Sequence, residues 1–170
     1  MSKLWRTLIA GPLVLTALAV PAYAGALGPD AAVCDAGQGP SVLVRVEGFK
    51  ARTGKLRVQI YGGNAAEFLE KGKWLKRVDL PVTRSGVMDV CVGLPAAGNY
   101  AVAVRHDVDG NGKSGWSDGG GFSRNPHLSL TNLKPKHSAV VIPVGAATRT
   151  VDVVLNYRSG LSIRPIEGSR

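Results

Sequence analysis

The chain has 170 residues, 45% of them hydrophobic, with 22 Gly, 10 Pro, two Cys and three His. That length favours one domain over two, and the hydrophobic fraction excludes wholesale disorder. The formal charge of +9 says nothing about the fold but sets the sign of any charged partner.

In chain order, residues 1–24 come first. Lys3 and Arg6 precede an apolar run from Leu8 to Val20, and Ala22-Tyr23-Ala24 follows Pro21. A positive start, a short apolar centre and an A-x-A end read as a secretory signal peptide cleaved after Ala24. The run is shorter than the ~20 residues a spanning helix needs, which disfavours a retained anchor, the rival reading. The chain is therefore expected in the periplasm or secreted, with no membrane span after cleavage. Ala31-Ala32-Val33 ahead of Cys34 is not a lipid-attachment pattern.

Residues 25–40 form a Gly/Pro-rich leader containing Cys34. Its possible partner is Cys91, since an even pair in an oxidising compartment suggests a disulfide. Such a bond closes a loop of about 57 residues, worth roughly 4 kcal/mol by chain entropy. Two free thiols are the alternative.

Residues 41–157 read as short strands. Val42, Val44 and Val46 alternate with Arg45 and Glu47; Leu56, Val58 and Ile60 alternate with Lys55, Arg57 and Gln59. The connection 50–54 makes these a hairpin candidate. Asn64 to Leu75 reads as a helix of at most two turns, weakened by Gly72. Further strands are expected at 77–82, 87–92, 100–104, 127–133, 139–144 and 150–157. With about seven or eight strands and at most one short helix, the pattern predicts an all-β fold. Its expected architecture is a single antiparallel β-sandwich, immunoglobulin-like or prealbumin-like. Residues 158–170 lack periodicity and read as a loosely held tail.

The chemistry concentrates after His106. Asp107, Asp109, Asn111 and Asp118 stand at positions 1, 3, 5 and 12 of a calcium-type loop, with Gly112 at position 6. Ca²⁺ takes six to eight oxygens, and alternate residues of a tightly wound loop point inward. The Lys113 carbonyl is a further candidate ligand. A strand leads into this loop and Gly119-Gly120-Gly121 follows it, so a helix–loop–helix hand is excluded. The alternative is a hairpin tip whose side chains cap their own backbone, with Lys113 and Arg105 offsetting part of the acid charge. If the loop binds Ca²⁺, an extracellular-type affinity of about 10⁻⁴–10⁻³ M is expected.

His106 shares the parity of Tyr100, Val102 and Val104, so it is expected to turn inward and brace the loop. A His106–Asp107 dyad serving Ser123 is poor geometry, because strand neighbours face opposite ways. With no workable dyad and no zinc spacing among the three His, no enzyme is expected. Phe122 is expected to pack beneath the loop. Trp116, on a Gly-rich tip, offers a stacking face for a sugar or peptide. Lys71, Lys73, Lys76 and Arg77 surround Trp74, a face that reads as solvated; it suits an anionic envelope polymer or protein and not nucleic acid.

The run LPAAGNYAVAVRHDVDGNGKSG followed by GGGFSRNP resembles the bacterial exported family known as domain of unknown function 2141. That family is similar in a Leu-Pro-x-Gly-x-Tyr-Ala-Val strand, then His-Asp-x-Asn-x-Asn-Gly-Lys, then Gly-Phe-Ser-Asn-Asn. Leu94, Pro95, Gly98, Tyr100, Ala101, Val102, His106, Asp107, Asn111, Gly112, Lys113, Gly121, Phe122, Ser123 and Asn125 match. The likeness covers about residues 42–157 and departs after Ser114, leaving Asp118 as the only late carboxylate. The resemblance implies an exported β-sandwich and no established activity. Together these readings describe a non-enzymatic exported module with a candidate Ca²⁺ loop; the alternative is a carbohydrate- or envelope-polymer-binding module using Trp116 and the basic face.

Overall fold

The computed structural model describes residues 25–166; the expected signal peptide and the last four residues of the tail lie outside them. Among the described residues ten strands form two sheets. The first sheet has the order β4-β1-β8, with β1 Ser41–Glu47, β4 Met88–Gly93 and β8 Thr148–Val154. The second runs β10-β9-β6-β5-β2-β3, and β7 also pairs with β5. Its members are β2 Lys55–Tyr61, β3 Lys76–Pro81, β5 Gly98–Asp107, β6 Gly119–Phe122, β7 Ile142–Val144, β9 Asn156–Ser159 and β10 Ser162–Pro165.

The alternation seen in sequence is the sandwich core. Val42, Val44 and Val46 face Leu56, Val58 and Ile60 across the inter-sheet space, joined by Val102, Val104, Val153 and Leu155. Period-two patterning puts one set of side chains inside, and burying a Val or Leu there contributes about 1.5–3 kcal/mol.

Several expectations are corrected. There are more strands than seven or eight, and β1 pairs with β8 in parallel while its β4 pairing is antiparallel. The 150–157 run is two strands in different sheets, β8 and β9, with Leu155 between them. The 139–144 run begins inside a helical turn, His137–Val140, and only Ile142–Val144 is strand. Residues 127–133 form no named strand, only a Ser129–Asn132 bridge. The helix expected over Asn64–Leu75 shrinks to one 3₁₀ turn, Ala65–Glu67, capped by the Asn64 side chain accepting from the Ala66 amide. A further short helix, Ala31–Asp35, brings the helical elements above the one expected. Residues 156–165, in part read as loose tail, form the β9–β10 hairpin.

The leader is fastened to β4. Cys34 and Cys91 are disulfide-bonded, 57 residues apart, and no free cysteine remains among the described residues. Leu27 exchanges backbone hydrogen bonds with Asp89 and Cys91, and the Asp30 carboxylate accepts from the Gly93 amide.

A second hydrophobic cluster lies on the outer face of the larger sheet. Tyr61, Ala101, Ala103 and Phe122 project there and are covered by Phe68, Leu128 and Val140. This explains why β5 is buried on both faces over Tyr100–Val104.

Candidate functional site

The acid-rich segment is the connection between β5 and β6. Asp107 is the last residue of β5, and Gly119 opens β6 opposite His106. One hairpin therefore carries all three carboxylates. One oxygen from each of Asp107, Asp109 and Asp118 lies within 4.8 Å of the others. They grade from buried to exposed, Asp107 being 2% exposed.

Asp107 is the anchor. Its Oδ2 accepts from the Gly112 amide at 2.8 Å and from Arg105 Nη2 at 3.3 Å. Its Oδ1 is buried with no hydrogen-bond partner, an arrangement that costs a carboxylate dearly unless a cation completes it. Burial pushes the Asp107 carboxyl up. The Gly112 amide, Arg105 and the Gly110 amide outweigh that and leave it below its ordinary value. It is ionised at neutral pH.

Asp109 accepts from the amide and the side chain of Asn111, at 3.1 and 2.6 Å. Asn111 Oδ1 in turn accepts from the Lys113 amide at 2.6 Å, so Asn111 and Lys113 enter the loop as Asx-turn members bracing Asp109. Asp118 accepts from the Val108 amide through Oδ1 and the Gly115 amide through Oδ2, pinning the two ends of the loop together. Gly112 takes a positive φ of 79°, the reversal expected of it. A carboxylate oxygen has more than one acceptor position, so these bonds still leave room for a cation.

The floor beneath the loop is His106, wholly buried as its parity predicts. Nε2 lies 2.9 Å from the Thr53 carbonyl, which only accepts, so Nε2 carries the proton. Nδ1 then accepts from the Tyr157 hydroxyl at 2.6 Å. Burial holds the His106 imidazole below its ordinary pKa, against the Thr53 carbonyl, Asp118 and Asp107, which raise it. Burial likewise pushes the Tyr157 phenol up to about 12. Both groups are neutral at pH 7.

Two glycines make this floor possible. A Cβ on Gly54 would overlap the Asp107 carbonyl oxygen and reach 2.6 Å from that of Val108; Gly54 also has a φ of +73°. A Cβ on Gly119 would overlap the Tyr157 ring. Gly119-Gly120-Gly121, read from sequence as a bar to helix, is thus also where β6 approaches Tyr157 and β8 closely.

Phe122, expected to pack beneath the loop, lies elsewhere. It pairs with Ala103 and packs in the outer cluster, its ring 6.2 Å from Phe68, because its parity on β6 places it on the outer face. Ser123 is buried far from any dyad role: its hydroxyl donates to the Val140 carbonyl and accepts from the Val102 amide.

Trp116 is 76% exposed, and the Arg158 guanidinium lies 3.4 Å over its ring. With Phe122, Leu128, Leu133 and Ile163 they line an open, largely apolar groove of about 400 Å³ beside the acid loop, and Asp118 borders both. The basic cluster is partly neutralised locally, Lys73 by Glu67 and Arg77 by Asp79, with Arg77 over Trp74. Among the described residues no helix is long and apolar enough to cross a membrane.

Sequence reasoning missed Thr53, Gly54, Tyr157 and Arg158, which come from distant segments that no local pattern links to the loop. Arg105 was legible only as an offsetting charge. Residues 44–152 match the family described as uncharacterized protein conserved in bacteria, domain of unknown function 2141. No curated protein and no solved structure shows a significant match.

Proposed function

Since the chain belongs to the domain of unknown function 2141 family of bacterial proteins, we propose that it is a non-enzymatic, exported β-sandwich module whose Asp107–Asp118 loop binds Ca²⁺. The observation that carries the reading is the buried, unpartnered Oδ1 of Asp107 within a cluster of three carboxylates. A hard cation satisfies that oxygen and relieves the repulsion among the three acids. Oxygen-only donors on a hairpin suit Ca²⁺ better than Zn²⁺, which prefers nitrogen and sulfur. The role is structural: the ion fastens one end of the sandwich, where a partner docks. Export accords with the disulfide, a bond kept in oxidising compartments. Calorimetric titration tests the reading. The expected result is Ca²⁺ binding with a Kd of about 10⁻⁴–10⁻³ M that Asp107→Asn abolishes; no heat at 10-fold higher Ca²⁺ overturns it.

A second reading, a module that binds a carbohydrate or anionic envelope polymer, draws on the groove beside Trp116. Saturable glycan-array binding lost in Trp116→Ala supports it. Against sugar stacking, Arg158 already covers one face of the Trp116 ring.

A further inference from the structure

We infer that Arg105 is the resident cation of this loop and sets how tightly its carboxylates hold a divalent ion. The inference rests on the ion-binding reading above. Arg105 sits on β5 opposite Gly120, and its guanidinium reaches over the start of the hairpin connection. Nη2 donates to Asp107 Oδ2 at 3.3 Å and to the Gly112 carbonyl at 3.1 Å, and Nη1 donates to Ser114 Oγ at 3.3 Å. One side chain thereby gathers a carboxylate, a carbonyl and a hydroxyl, the oxygen types a hard divalent cation takes. The group is always charged and its planar fork holds two acceptors at once, so it acts as a tethered counter-ion.

Its fit is incomplete. The Nε of Arg105 is buried without a hydrogen-bond partner, and so is Asp107 Oδ1 on the other side of the same ion pair. Arg105 neutralises the anchor carboxylate but leaves one of its oxygens unserved. An entering ion must share Asp107 with the guanidinium or displace it. Arg105 therefore keeps the loop folded when the ion is absent and weakens the ion when it is present.

The test is calorimetric Ca²⁺ titration of wild type, Arg105→Gln and Arg105→Lys. A unit charge about 5 Å from a divalent ion, screened as in water, changes affinity by roughly ten-fold. Arg105→Gln is expected to bind Ca²⁺ about ten-fold tighter, whereas Arg105→Lys, which keeps the charge, stays within about three-fold of wild type. In chelator Arg105→Gln should melt below wild type, and saturating Ca²⁺ should narrow that gap. Wild-type binding with equal or weaker binding by Arg105→Gln overturns this inference alone. Binding by neither protein overturns the ion reading and this inference with it. Should Arg105→Gln not fold, the Nε–H resonance of Arg105 in the wild type decides: a shift on Ca²⁺ saturation supports displacement, and an unmoved signal refutes it.

Discussion

Replacing Tyr157 by Phe removes one oxygen from the floor of the loop and leaves the ring in place. In the wild type that hydroxyl donates to His106 Nδ1 at 2.6 Å, and Tyr157 and His106 are 2% and 0% exposed. In the variant Nδ1 is a buried acceptor without a donor. Switching tautomer does not help, because the Thr53 carbonyl facing Nε2 cannot donate a proton. A stranded buried acceptor costs about 1–3 kcal/mol, and for a domain of this size each kcal/mol lowers Tm by roughly 3–5 °C. The same phenol carries a pH signature. Its folded pKa, about 12, lies above the ordinary 10.0, so its neutral form stabilises the fold below pH 10. That contribution is lost as pH rises from about 10 to 12, because the unfolded chain ionises first. At pH 11 the loss is about 1.4 kcal/mol in the wild type and absent in Tyr157→Phe. Urea melts at pH 7 and pH 11 should therefore show a gap between the two proteins that narrows by about that amount. A variant within 0.5 kcal/mol of wild type at pH 7, or a gap independent of pH, refutes the hydrogen-bonded floor.

Gly54→Ala adds a Cβ that overlaps the Asp107 carbonyl at a residue with positive φ. It should cost more than about 2 kcal/mol by thermal melt, combining left-handed strain with displacement of the loop's base. Near-neutrality would show that the acid hairpin does not meet the 50–54 connection there, which joins β1 and β2 of different sheets and is not the hairpin expected. Reducing Cys34–Cys91 should destabilise the protein by up to about 4 kcal/mol. Two thiols that alkylate without reductant in the native protein would contradict the bond.

The alternating strands β1, β2 and β5 were legible because a two-faced sandwich writes its inner face at every second residue. The same regularity hid the sheet change. Val151, Val153, Leu155 and Tyr157 keep one parity and are all buried, so the period runs unbroken through the residue where the chain passes between sheets. The outer cluster was not legible: Phe68, Leu128 and Val140 come from segments read as a helix and two strands that fold largely as turns and loops, and only the fold brings them together. For the loop, spacing identified Asp107, Asp109 and Asp118 as a group, because all three ride on one hairpin. It missed the floor, because Thr53 and Tyr157 approach His106 from sequence distances of 53 and 51 residues.

Thermal unfolding in chelator, then in millimolar Ca²⁺ or Mg²⁺, tests the central claim most directly. At a free Ca²⁺ concentration of about 100 Kd, mass action stabilises the fold by about 2.7 kcal/mol, a rise of roughly 10 °C. The account predicts that rise for Ca²⁺, a smaller one for Mg²⁺, and none for Asp107→Asn, whose melting temperature is then the same with and without the ion. A wild-type Tm equal in chelator and in Ca²⁺ would contradict it, and would make the loop a hairpin tip closed by Arg105 and its own side chains.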